Sequence, residues 1–234
     1  MKVSSKKLTI LLSCVLCMVL ANPALARKAP PETTHDGLSL VKKAKAADYV
    51  YLAPDADLTG YKKIIVIEPH VAFRKGYKDD YNSSGVHAFN RLSDRDLEKM
   101  IARAKDLFMH EFVETLEKKG YPVVKDAGED VLVARALIVD LEVNVPDPNR
   151  TKGMGRSKTF AEGVGEATFV LELYDSVSMA IIARAVDHID EMDSAFGWRV
   201  PRDYATNTMD AQDAFGTWAV HLAKGLDRAK KEAK

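Results

Sequence analysis

Cysteine is nearly absent: the only two, Cys14 and Cys17, lie within the first 26 residues, ahead of a point where the chain reads as cleaved. The mature chain would hold no disulfide framework, no thiolate zinc site and no cysteine nucleophile. Net charge is absent too. The 34 basic and 34 acidic side chains cancel, and losing Lys2, Lys6 and Lys7 with the first 26 residues leaves 31 against 34, a formal charge of −3. That balance argues against nucleic-acid binding, which needs a basic face. Long apolar runs are missing as well. Leu8 to Ala21 spans fourteen mostly apolar residues, short of the roughly 20 that a bilayer-crossing helix requires.

What is there begins with a three-part export signal: a basic opening through Lys7, the apolar stretch, then Asn22-Pro23 and the small-x-small triplet Ala24-Leu25-Ala26. Cleavage after Ala26 leaves Arg27 first and delivers the chain to the periplasm. Leu11-Leu12-Ser13-Cys14 is similar to a lipoprotein processing site, and lipidation of Cys14 would make an outer-membrane lipoprotein with membrane contact. Processing there would leave only Leu8 to Ser13 as the apolar stretch, so Ala26 is the preferred site.

Residues 27–47 hold Pro30-Pro31, Asp36-Gly37 and scattered lysines, and read as a flexible leader. Residues 48–234 read as one domain. Tyr49 to Leu52 is a short strand candidate, and Ile64-Ile65-Val66-Ile67, apolar on both faces, reads as a central strand buried on both sides. Ser93 opens the clearest helix, with Asp96 placed to complete a capping box. Leu97, Ile101, Ala104, Phe108, Phe112 and Leu116 recur along it, and Gly120 ends it. The period then changes to two. Tyr121 to Val124 and Leu132 to Val145 read as strands. Glu166 to Tyr174 and Met179 to Ile189 read as a hairpin about Asp175 to Ser178. A second helix runs from about Met209 to Lys231. The expected fold is α+β: a largely antiparallel sheet with two long helices packed on one face, in the order β-α-β-β-β-β-α.

Several segments carry a resemblance. Asp36-Gly37-Leu38, Tyr51 to Tyr61, Val71 to Lys75, Gly120 to Val124, Asp130-Val131-Leu132, Leu171 to Ser176, and Thr206-Asn207 with Trp218-Ala219 resemble the bacterial family known as domain of unknown function 3313, over residues 36 to 228. The resemblance implies an exported envelope protein, often a lipoprotein in that family, and brings no activity or catalytic residue with it. The chain departs from the family pattern at Asp55, where Gly is usual, and at Ser178-Met179, where Thr-Gly is usual. The element order also resembles envelope interaction domains related to the curli secretion channel and the TolB N-terminal domain, a likeness that transfers no mechanism.

Chemistry is sparse. His110-Glu111-Phe112-Val113-Glu114 is similar to a zincin helix but has Glu114 where the second imidazole is required. Gly153 to Lys158 has the cations and glycines of a phosphate cradle without the P-loop spacing, and no GxSxG elbow is present. No catalytic residue, cofactor or metal is expected. His188 and Asp190, two apart on a strand, point the same way and are the candidates for a small-molecule or cation site, or a weak hydrolase. Aromatic residues and arginines on irregular segments are the usual substance of protein interfaces. Arg74, Tyr77, Tyr81, Trp198, Arg199 and Arg202 are therefore the candidate partner surface. The expected function is a non-enzymatic periplasmic interaction module whose partner is another envelope protein, with a homo-oligomer left open by the sheet edge.

Overall fold

The structure is a computed structural model that describes residues 29–42, 44, 46–84, 91–143, 159–161, 165–189, 200–202 and 204–232. The chain divides into two compact units, Met1–Pro30 and Pro31–Lys234, and the sheet and its helices belong to the second.

Eight strands and three helices are described: β1 (Ser39–Leu40), β2 (Tyr49–Leu52), β3 (Lys63–Phe73), α1 (Tyr77–Ser83), α2 (Asp94–Lys118), β4 (Val131–Leu141), β5 (Thr159–Ala161), β6 (Ala167–Asp175), β7 (Ile181–Ile189), β8 (Val200–Arg202) and α3 (Tyr204–Glu232). Six strands form one sheet in the order β1-β2-β7-β6-β4-β3, while β5 and β8 pair by themselves. Every neighbouring pair in the large sheet is antiparallel except β3 and β4, which the α2 crossover makes parallel. The fold is α+β, as the change of period along the chain implies.

The capping box is built as its residues dictate. The Ser93 backbone N–H donates to Asp96 Oδ2 at 2.9 Å, and the Asp96 N–H donates to Ser93 Oγ at 3.3 Å. Gly120, at φ 86°, turns the chain out of the helix. Phe108, Phe112 and Leu116 of α2 are fully buried. They share one core with Phe215, Trp218, Ala219, Leu222 and Leu226 of α3, and with Leu132, Ala134, Ala136, Ile138, Phe169, Leu171 and Leu173 of the sheet. Both long helices thus cover the same sheet face.

Four expectations change. The run Ile64 to Ile67 is not central: β3 is the edge strand, and Ile67 is 41% exposed. Ile64 is still fully buried, because the chain after α2 lies along its outer side. The Ile64 N–H donates to Pro122 O at 3.1 Å, and the Val124 N–H donates to Ile64 O at 2.9 Å. That contact is all that remains of the expected strand Tyr121 to Val124, a single parallel bridge at Val123. The irregular segment expected around Tyr77 and Tyr81 is instead the helix α1, which follows the end of β3. Within the leader expected at 27–47, Ser39–Leu40 forms β1 and Leu38 is 1% exposed.

The β6–β7 turn is tied by Asp175, whose Oδ1 accepts from the backbone N–H of Ser178 at 2.7 Å and of Val177 at 3.2 Å. Met179 sits in the left-handed region at φ 58°. Its side chain is 57% exposed, so little packing offsets the cost of that backbone. Met179→Gly is therefore expected to stabilise the fold by about 0.5–1 kcal/mol, read as a higher urea midpoint at unchanged slope.

Candidate functional site

The chain leaves β3 at Phe73, turns at Gly76 (φ 81°) and enters α1. The Tyr77 ring stacks on Phe73 with centroids 4.9 Å apart and planes 8° from parallel, and its hydroxyl donates to Val143 O at 2.7 Å. Tyr81 lies 6.2 Å from Tyr77 in a tilted pair. Burial pushes the Tyr77 phenol well above its usual range. Arg74 donates through Nη2 to Asp80 Oδ2 at 2.8 Å, through Nη1 to Lys75 O at 3.1 Å and through Nε to Glu142. Lys78 reaches Asp94 at 2.5 Å, and the Asn82 side chain exchanges hydrogen bonds with both backbone groups of Leu92.

The end of β4 is bent to meet this corner. Alternation along the strand holds to Val139, then Asp140 takes φ 52°. Gly165, at φ 125°, passes so close that a Cβ there would collide with the Glu142 carbonyl. This bulge aims Glu142 at Arg74 and the Val143 carbonyl at Tyr77. Between α1, α2 and β3 opens a pocket of about 420 Å³. Val71, Phe73, Leu97 and Ile101 supply its apolar lining, and Arg74, Tyr77, Lys78 and Asp79 complete the wall.

The residues singled out in the sequence fare differently. Arg74, Tyr77 and Tyr81 are brought together, but Tyr77 is only 5% exposed and Arg74 is fully engaged. Arg74 and Tyr77 form part of the pocket wall, and Tyr81 packs beside Tyr77 outside it. Trp198, Arg199 and the side chain of Arg202 lie outside the described residues, as does Asp190. His188 is described, and its carboxylate partner is Asp48. His188 Nδ1 lies 2.8 Å from Asp48 Oδ2, which also accepts the His188 backbone N–H at 3.1 Å, while Tyr49 meets the ring edge-on. A single sequence gives no sign of that partner, 140 positions away.

A second missed group lies on the sheet face away from the long helices. Arg135, Glu172, Arg184 and Tyr51 stand in register across β4, β6, β7 and β2. Arg184 donates to Glu172 Oε1 through Nε at 3.0 Å and grips both oxygens of Asp36 at 3.1 and 2.5 Å. Thr34 also donates to Asp36, at 2.5 Å. Arg184, then Thr34, hold the Asp36 carboxyl well below the usual carboxylate range. Elsewhere, the described residue group able to hold a metal is His110, Glu111 and Glu114.

The sequence profile described as "Protein of unknown function (DUF3313)" matches residues 33–222. The chain belongs to the DUF3313 family. No curated protein matches it. Among solved structures, this family member is similar to the PelC dodecamer from Paraburkholderia phytofirmans: TM-score 0.34, 13% identity, covering 73% of this chain and 96% of that one. It is also similar to a neuraminyllactose-binding hemagglutinin homolog from Helicobacter pylori, at TM-score 0.35 and 15% identity over 75% of this chain and 88% of that one. A DUF4136 family protein from Bacteroides thetaiotaomicron gives TM-score 0.33 and 11% identity, over 74% and 95%.

Two outcomes test these assignments. Gly165→Ala is expected to destabilise the fold and to loosen the α1 corner, seen as faster amide exchange in residues 77–83 at unchanged exchange in α2. Asp36 binds fewer protons folded than unfolded, so its contribution is full above the unfolded value of 3.8 and is lost as pH falls towards the lower folded value. The stability gap between wild type and Asp36→Asn should accordingly be constant from about pH 5 to 8 and narrow steadily below about pH 4 in urea titrations.

Proposed function

We propose that the protein is exported by the Sec route, cleaved after Ala26, and acts in the periplasm as a non-enzymatic module that holds another envelope protein at the α1 pocket. The observation that supports this reading is an apolar floor of Val71, Phe73, Leu97 and Ile101 open at the surface, beside charges fixed by their own partners. A partner's apolar side chain entering there would be desolvated on a rigid base, which is how interface anchors gain their energy. Arg74, bound to Glu142 and Asp80, would keep the pocket's shape with or without the partner. The 14-residue apolar core of the export signal supports the location. An outer-membrane lipoprotein attached at Cys14 is the same module with an anchor.

A second reading places a small ligand or cation, or weak hydrolysis, at His188 and Asp190. The Asp48 pair favours it, because a carboxylate at Nδ1 orients an imidazole as a general base requires.

The test uses a photoreactive residue at Asp79 in intact cells. The lead reading expects one dominant envelope adduct that Leu97→Glu abolishes with the circular dichroism spectrum unchanged, and a purified mature mass beginning at Arg27. Adducts confined to cytoplasmic proteins, or an envelope adduct undiminished by Leu97→Glu, would sink it. Loss of ligand binding in a correctly folded His188→Ala variant would favour the second reading.

A further inference from the structure

Nine residues beyond Ile101, about 14 Å further along α2, a separate group of side chains converges. His110 Nδ1 lies 3.3 Å from Glu111 Oε1 and 3.9 Å from Glu114 Oε2, and one ligand atom from each of the three residues falls within 4.8 Å of the other two. In a site with metal–ligand bonds of about 2.0–2.2 Å, adjacent ligand atoms stand about 3.0–3.5 Å apart, so small side-chain rotations suffice to close these three on a cation. His110 and Glu114 are neighbours because residues four apart share a helix face. Glu111 is brought to them from the side by α3. Gln212 Nε2 donates to Glu111 Oε1 at 2.7 Å, and Glu111 is only 20% exposed, so its carboxylate is held before any ion arrives.

We infer that His110, Glu111 and Glu114 form a binding site for a borderline divalent cation of the zinc class, with Gln212 as its positioning residue and water completing the coordination. One imidazole with two carboxylates suits Zn²⁺, Co²⁺ or Ni²⁺ better than Ca²⁺ or Mg²⁺, which take oxygen ligands alone. It is a different arrangement from the zincin pair that the sequence lacks, since both carboxylates act as ligands and neither is left as a base. Lys118, 2.5 Å from Glu114 Oε1, holds the oxygen that faces away from His110 and leaves Oε2 for the cation. The site stands independently of the α1 pocket. It fixes the α2 side chains against α3, so the cation stabilises the folded chain by mass action.

The experiment is calorimetric titration of Zn²⁺ alone into the protein purified without a histidine tag, paired with thermal melts. One zinc per chain and a rise in Tm are expected, with no response to Ca²⁺. His110→Ala and Glu114→Gln should each weaken binding about 10-fold or more and abolish the Tm rise, Gln212→Ala should weaken it about 10-fold, and His70→Ala should leave it unchanged. Circular dichroism establishes that each variant is folded, which the 70% exposure of His110 makes the expected result. Affinity unaltered in His110→Ala, affinity equal in wild type and Gln212→Ala, or loss of zinc in His70→Ala would each overturn the inference.

Discussion

The packing of two long helices on one sheet face rests on a continuous run of aromatic rings. Phe112 stacks on Phe108 at 4.6 Å, Phe108 meets Phe215 edge-on at 5.3 Å, Phe215 touches Trp218 at 5.6 Å, and Trp218 lies flat on Phe169 of β6 at 3.5 Å. Helix, helix and sheet are thereby joined through rings that each bury a large area and accept few alternative geometries. The indole N–H could have been left stranded in such a core. It donates instead to Asp187 Oδ2 of β7 at 3.0 Å, so the one polar edge of the stack is also a tie to the sheet.

Because the helices take one face only, the other face must be finished by different means. It is not another apolar layer. The row Arg135, Glu172, Arg184 runs across three strands, and the segment around Asp36 closes one end of it by a two-oxygen grip on Arg184. Tyr174 donates to the remaining Glu172 oxygen at 2.7 Å, so this carboxylate, the most buried charge of the row, is satisfied on both sides. A buried acid with two such donors tolerates its surroundings; the same acid without Arg184 would not. The N-terminal segment is for this reason part of the fold's closure, and its attachment point is electrostatic where the helices' is apolar.

The elements were legible wherever one local rule decided them. Ser93 and Asp96 spell a capping box, Gly120 a helix end, and the change to a period of two after it a run of strands. Strand order was not legible, because it depends on which neighbours the α2 crossover leaves available. Ile64 to Ile67 is apolar enough for a central strand, yet it is the edge, shielded by the return of the chain at Pro122 and Val124. The functional residues divide in the same way. Arg74, Tyr77 and Tyr81 could be picked out by type, but their engagement with Asp80, Glu142 and Val143 depends on a bulge that only backbone angles reveal. Asp48, Asp36 and Gln212 come to their partners across 140, 148 and 101 positions, separations at which a single sequence carries no pairing signal.

Two non-glycine residues in the described chain hold left-handed backbone, and their surroundings distinguish strain that is used from strain that is only tolerated. Met179 sits in an exposed turn whose hydrogen bonds are supplied by Asp175, and nothing beyond the turn depends on its angle. Asp140 is different. Its short polar side chain lowers the cost of the conformation, and the bend it makes is enforced from outside by Gly165, where no side chain fits. The bend delivers a carboxylate to Arg74 and a carbonyl to Tyr77 in consecutive residues, which is what fixes the wall of the pocket against β3. Without the extra residue of the bulge, the register would slip by one and turn the Glu142 side chain to the other face of the sheet, away from Arg74. The bulge is therefore the condition for a rigid pocket at this corner.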